Sequence, residues 1–272
     1  MAYTKDIKIF SDALSDTYDI VDECNNVHYN MTEYYSESIT NQTGAEQTEK
    51  KYISLYRGLW TLKNISLAHL PKISYIEESN GLMIVWERLY GMSVKEYVET
   101  YNTRISYKAL LNVMSPLLDD CETAHQNGLY FTISPETIFL TDGGDLKLNT
   151  LVNPSASVYS ANMGIARSIF YILTGFPYGN MQLPVDVYIP DPLRLLLEDV
   201  LTWRREFSGI GEFHYAIRSA IRSAEKNDSK AEQGFLRKWN MNSGVATAIS
   251  IGIGCISVLM IILIFSIVNI NL

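Results

Sequence analysis

After Lys238 the chain carries no charged side chain, and 244-GVATAISIGIGCISVLMIILIFSIV-268 is apolar along its whole length. A helix of this length crosses a hydrocarbon core of about 30 Å. A helix of similar length buried in a soluble domain would show a polar stripe instead. The sequence therefore predicts a transmembrane helix over Gly244 to Val268. Arg218, Arg222, Lys226, Lys230, Arg237 and Lys238 precede it, and only Asn269 to Leu272 follow. Positive charge stays on the cytoplasmic side. The expectation is a single-pass protein of the cell membrane, with a cytoplasmic N-terminal domain, a charged juxtamembrane linker over 226–243 and a short outer tail over 269–272. Trp239 suits an interfacial anchor. Ala246, Ser250 and Gly254 recur every four residues, a spacing that lets two helices approach closely and makes a homodimer through the span conceivable.

The rest of the chain has a globular composition. Of its 272 residues 47% are apolar and 19% charged, too many apolar side chains for a disordered protein. The formal charge of −8 argues against a nucleic-acid partner. Cys24, Cys121 and Cys255 lie far apart with no C-x-x-C pair, so neither a zinc site nor a disulfide framework is expected. They read as buried or lipid-facing thiols in a reducing compartment. No basic segment followed by an apolar one marks a signal peptide at the N-terminus.

Periodicity divides the domain into two parts. Residues 1–17 read as an irregular or helical lead-in. Strand-like text follows over YDIVDECNNV and VHYNMTEYYSESI, then a polar loop. A helix over KKYISLYRGLWTLKNIS carries apolar residues at Ile53, Tyr56, Leu59, Trp60 and Leu62 or Ile65. LPKISYIEES and GLMIVWERL form a hairpin across Asn80-Gly81. Beyond this small sheet the pattern is helical. Ser93 and Glu96 form a capping box, and a long helix over 106–127 ends at Gly128. TIFL and DLKLN make two short strands, and helices over 160–174, 191–203 and 210–225 complete the domain.

This order, with the text HQNGLYFTISPETIFLTDGGDLKLNTL and MGIARSIFYILTGFPYG, resembles the protein kinase fold over residues 18–225. The resemblance implies an α+β, two-lobed architecture: a β-rich N-lobe over 18–90 and a helical C-lobe over 91–225. A kinase needs a catalytic-loop Asp, an Asn five residues on, and the Asp of D-F-G. On this resemblance Thr132, Thr137 and Thr150 stand at those three positions, and Tyr130-Phe131 replace His-Arg. A threonine hydroxyl is no general base near neutral pH and a poor ligand for magnesium. No G-x-G-x-x-G lies between Tyr18 and Ser38, no strand lysine is recognisable, and Arg57-Gly58 stands where the helix glutamate belongs. About eight residues separate Leu151 from the large helix, too few for an activation segment.

The resemblance thus implies a pseudokinase with no catalytic residue, cofactor or metal. Its work would be protein–protein binding as a scaffold or regulatory subunit, with other membrane or cytoplasmic proteins as partners. Asp119, Asp120, Asp142 and Asp145 are read as solvated surface charges, and His125 as a structural helix residue. A cytoplasmic pseudokinase followed by one span resembles the EssB/YukC family of bacterial type VII secretion machines, although that family's extracytoplasmic domain has no counterpart in Asn269 to Leu272. The alternative is an atypical nucleotide-dependent kinase or transferase, or a nucleotide sensor without turnover.

Overall fold

The computed structural model describes residues 3–11, 15–24, 26–34, 45–78, 81–153, 155–179 and 187–241. The expected span Gly244 to Val268, with Ala246, Ser250, Gly254 and Cys255, lies outside them. No described helix is long and apolar enough to cross a membrane. By contacts the chain divides into one unit over Met1–Ile221 and another over Arg222–Leu272. The first carries the sheet, most of the helices and all of the site.

Five antiparallel strands form the N-terminal sheet: β1 (Tyr3–Ser11), β2 (Ser15–Asp22), β3 (Val27–Tyr34), β4 (Ile73–Glu78) and β5 (Leu82–Glu87), in the order β1-β2-β3-β5-β4. The first strand overturns the lead-in expected over 1–17. YTKDIKIFS does not alternate cleanly because the strand is bulged twice, between Lys5 and Ile7 and between Lys8 and Phe10. An edge strand with bulges keeps Ile7, Ile9 and Phe10 exposed and leaves little period-2 signal to read. β5 lies between β3 and β4, so Leu82, Ile84, Val85 and Trp86 are all buried. Ile20, Met31 and Val85 form the core of one face, flanked by Tyr18, Tyr29 and Met83. Gly81, at φ 142°, closes the β4–β5 hairpin where a side chain would be strained.

Helix α1 (Ala45–Asn64) falls between β3 and β4 in the chain. Its buried face is Leu55, Gly58, Leu59 and Leu62, the i, i+3, i+4, i+7 set of one helical stripe. The expected stripe is thus rotated: Ile53 and Trp60 are 39% and 37% exposed. Two neighbouring periodic sets were available in this aromatic-rich helix, and tertiary packing chose the one containing the glycine.

The C-terminal part begins at β6 (Gly91–Ser93) and α2 (Val94–Tyr101), whose capping box is formed by Ser93 and Glu96 as expected. The long helix α3 (Tyr107–Gln126) runs through Pro116 and buries Leu110, Met114, Leu117, Leu118 and Cys121. Gly128, at φ 75°, ends it by donating its N–H to the His125 carbonyl. β7 (Ile138–Thr141) and β8 (Leu146–Leu148) complete a small sheet in the order β6-β7-β8. Helix α4 (Val158–Thr174) is buried almost throughout and stops at Gly175, at φ 78°. Burial of each large aliphatic side chain in such a helix contributes roughly 1.5–3 kcal/mol.

Helix α5 (Asp191–Leu201) ends in an unusual way. The Trp203 N–H reaches the Val200 carbonyl at 3.2 Å and the Arg204 N–H reaches the Asp199 carbonyl at 2.8 Å. This is the double cap in which glycine normally takes the left-handed position. Trp203 holds it at φ 63°, at a cost of about 1–2 kcal/mol for a residue with a Cβ. Helix α6 (Ile210–Met241) continues through the described part of the expected charged linker, so residues 226–241 are helical.

Candidate functional site

The loop after α3 is held by its own alternation. Leu129, Phe131 and Ile133 point inward and are buried, while Thr132 is exposed. Phe131 bridges Val152 in antiparallel fashion, and the Asn153 N–H donates to the Tyr130 carbonyl at 2.8 Å. The loop and the segment after β8 therefore run side by side, which brings Thr132, Thr137 and Thr150 into one region. Behind them α4 comes so close that a Cβ on Gly164 would lie 2.0 Å from the Ile133 carbonyl oxygen.

Two of the three threonine hydroxyls are engaged in hydrogen bonds of ordinary length. Thr137 Oγ1 accepts from the Ser134 N–H at 2.9 Å and donates to the Thr132 carbonyl at 2.9 Å. Its carbonyl takes the Asn149 N–H at 2.7 Å. Thr137 thus ties together both turns of the loop. Thr132 Oγ1 accepts from Asn153 Nδ2 at 2.8 Å. Thr150 Oγ1 makes only a long contact, 3.5 Å, to the Leu151 carbonyl. Asn149 Oδ1, one residue before it, is buried without a hydrogen-bond partner.

The N-terminal sheet adds polar groups that the sequence pattern had not singled out. β3 reads VHYNMTEY and contains no lysine. Thr17 and Thr32 share a hydroxyl hydrogen bond of 2.9 Å, and Trp86 Nε1 donates to Thr32 Oγ1 at 3.0 Å. Asn30 Nδ2 donates to the Glu87 carbonyl at 3.3 Å, where the chain leaves the sheet. Buried Asp19 receives Arg88 and His28. Only the fold brings these residues together, since Asp19, His28 and Arg88 come from β2, β3 and the segment after β5. Gly58 lies on the side of α1 that faces the loop: a Cβ there would meet Leu129 at 3.2 Å and Val152 at 3.3 Å. A longer side chain at 58 would enter an apolar contact.

The acidic groups around the loop have partners. Glu136 pairs with Lys95 at 3.3 Å. Burial works against its charge, but hydrogen bonds from Ser134, its own amide and Lys95 hold the carboxyl below its ordinary range. Asp120 was expected as a solvated charge and is a tether instead. Its carboxylate accepts the His69 N–H at 2.8 Å and His69 Nδ1 at 2.9 Å. The His69 carbonyl in turn accepts the Leu148 N–H, so the α1–β4 connection is fixed to both α3 and β8. Asp119 is exposed but not isolated: it takes His214 Nδ1 at 3.2 Å and Arg218 at 3.3 Å. Asp142 and Asp145 are exposed on the β7–β8 turn. His125 packs its ring edge-on to Tyr130, a structural contact.

Asp119, Glu122 and His214 place ligand atoms within 4.8 Å of one another, a grouping the sequence reading did not anticipate. Arg218 supplies the positive charge there: its Nε donates to His214 Nε2 at 3.0 Å, and Ser115 Oγ meets the same nitrogen at 3.0 Å. With Nε2 accepting and Nδ1 donating, His214 is neutral. Burial lowers its pKa first, Arg218 adds to this, and Asp119 opposes it. Ser115, His214 and Asp119 have triad-like contacts, yet an arginine on the imidazole nitrogen is unsuited to a general base. The thiols divide: Cys121 is buried, and Cys24 is exposed against expectation.

No protein-family model and no curated protein matches the chain. Among solved structures it is similar to a point mutant of the Mycobacterium tuberculosis PknI kinase domain, with a TM-score of 0.58 at 15% identity over 80% of this chain and 95% of that one. The apo form of PpkA-294 gives a TM-score of 0.56 at 11% identity, with the same shares covered. At such identities the likeness speaks to architecture alone: the chain has a protein-kinase-like α+β fold, β-rich in its N-terminal part and helical in its C-terminal part.

Proposed function

We propose that this chain is a catalytically inactive kinase-fold protein, a pseudokinase, that works as a membrane-tethered scaffold or regulatory subunit. One observation carries the reading. Thr132, Thr137 and Thr150 stand where the kinase resemblance expects carboxylate, amide and carboxylate, and the Thr132 and Thr137 hydroxyls are already bonded within the loop. A group that braces the loop is not available as a base or a metal ligand. The lysine-free β3 and the glycine at 58, packed on Leu129 and Val152, support the same reading. The tether is Gly244 to Val268, inferred from its apolar sequence. A scaffold at the cytoplasmic face, in a secretion machine of the type VII kind, is the setting this arrangement suits. Its partners would be other membrane or cytoplasmic proteins.

The rival reading is a nucleotide-dependent transferase or nucleotide sensor. Asn149 Oδ1 favours it, as a buried acceptor oxygen with no partner beside Thr150. Thermal unfolding of the full-length protein with ATP, with and without magnesium, separates the two, because any ligand that binds only the native state raises the midpoint. The scaffold reading expects no shift and no phosphotransfer to protein or to water. A magnesium-dependent shift with turnover abolished in Thr132→Ala overturns it, and a metal-independent shift without turnover assigns a sensor.

A further inference from the structure

A cleft lies beside the threonine-bearing loop, between the start of α4 and the segment joining α5 to α6. Its volume is about 470 Å³, and its walls include Tyr130, Tyr159, Phe207, Glu206, Ser157 and Ser208. Each aromatic wall is braced by a second ring. Tyr130 meets His125 at 5.1 Å, Tyr159 stacks on Trp203 at 4.2 Å, and Phe207 packs on Phe213 at 5.0 Å. The rings are therefore fixed before anything binds, which lowers the entropic cost of binding.

Two polar groups of this cleft have no protein partner among the described residues, one buried and the other, Glu206, exposed to solvent. The Tyr159 hydroxyl is buried and has no hydrogen-bond partner. No base among the described residues forms an ion pair with the Glu206 carboxylate, whereas the neighbouring Arg204 pairs with Asp199. Burial and then the Glu206 charge push the Tyr159 phenol up, and Arg167 opposes them. Trp203 is a third indication. It occupies a left-handed position that glycine would fill without strain, it is 66% exposed, and its indole is laid against Tyr159. Strain of this kind collects at binding sites.

An unpaired carboxylate, an unpartnered phenol oxygen and flat aromatic faces call for a planar cation with several donors. Guanidinium meets all three requirements: it stacks on aromatic rings, pairs bidentately with carboxylate and donates further N–H groups. The Arg205 guanidinium, 4.6 Å from the Phe207 ring centre, already makes this pairing on one face of that ring, which leaves Tyr130, Tyr159 and Glu206 for an incoming group. We infer that this cleft is a docking site for an arginine side chain presented by a partner protein. The inference rests on the scaffold reading for the partner's class and adds to it a place and a chemistry.

The test titrates the full-length protein, purified in detergent, with acetyl-Gly-Arg-Gly-amide, and uses the citrulline analogue and phosphocholine as comparisons. Calorimetry is expected to show saturable binding of the arginine peptide only. Glu206→Gln should weaken it by about tenfold or more, the loss of one charge-assisted pair. Trp203→Gly should also weaken it, while its unfolding midpoint stays equal or rises because glycine suits the left-handed cap; a purely structural tryptophan would show the opposite. No saturable binding by the unmodified protein overturns the inference. So does unchanged affinity in Glu206→Gln, or citrulline binding as tightly as arginine. Preferred binding of phosphocholine would assign the cleft to a lipid headgroup instead. Phosphotransfer by the protein would overturn the scaffold reading and leave the arginine site standing, so the two failures are distinct.

Discussion

The close approach of α4 to the threonine-bearing loop can be tested with a single methyl group. A Cβ on Gly164 would lie 2.0 Å from the Ile133 carbonyl oxygen and 2.9 Å from its carbon, closer than the 3.0 Å that real Cβ atoms respect. Both partners are backbone, so no side chain can rotate away. The helix or the loop must retreat by about 1 Å in an interior that transmits strain. Overpacking of this type costs about 1–3 kcal/mol, and a backbone clash belongs at the upper end. Alanine returns about 1 kcal/mol of helix propensity. Gly164→Ala should therefore lose about 2 kcal/mol, a fall in Tm of about 4–8 °C for a domain of this size. Gly128→Ala is the control. Its glycine has open space around it and only the left-handed φ of 75° to lose, so a smaller fall is expected. Urea and thermal unfolding followed by circular dichroism measure both. A midpoint for Gly164→Ala at or above that of the unmodified protein would refute the close packing of loop on helix.

Three further outcomes follow from particular contacts. Thr137→Val removes the hydroxyl that joins Ser134 and Thr132, leaving a part-buried N–H without that partner, and should cost about 0.5–1.5 kcal/mol in urea unfolding; an unchanged midpoint would show that the hydroxyl does not brace the loop. His214 is neutral and its pKa is lowered in the fold, so the unfolded chain takes up the proton first, from about pH 6.5 downward. The stability present above that pH is lost as pH falls through the folded value, and His214→Gln should flatten this part of the unfolding profile. The Cys121 thiol is pushed up to about 12 by burial, and then by Asp120, whereas Cys24 is exposed. A thiol reagent at neutral pH should label Cys24 at once and Cys121 only on unfolding; prompt labelling of Cys121 would contradict the packing of α3.

The two-part, kinase-like order of elements was legible in the chain. Local signals made it so: the Ser93–Glu96 capping box, the left-handed glycines at 81, 128 and 175, and the 3.6-residue stripe of α3 each act within a few residues of sequence. The apolar run from Gly244 to Val268 is read from composition and length alone and lies outside the described residues. That Thr132 and Thr137 fall in the loop after α3, and Thr150 after β8, could be read from the turn text. What they do could not, because the bonds of Thr137 to Ser134 and of Thr132 to Asn153 depend on the loop lying against the segment after β8. β1 escaped notice because two bulges break its alternation, and the face of α1 because two periodic stripes competed. Asp120 looked like a surface charge until the fold set His69, 51 residues away, against it. Asp19 with Arg88 and His28, and Tyr159 with Trp203, are likewise long-range pairs. Sequence periodicity reports which face of an element is apolar. Only tertiary structure decides which polar groups meet across elements, and the chemistry of this protein depends on those meetings.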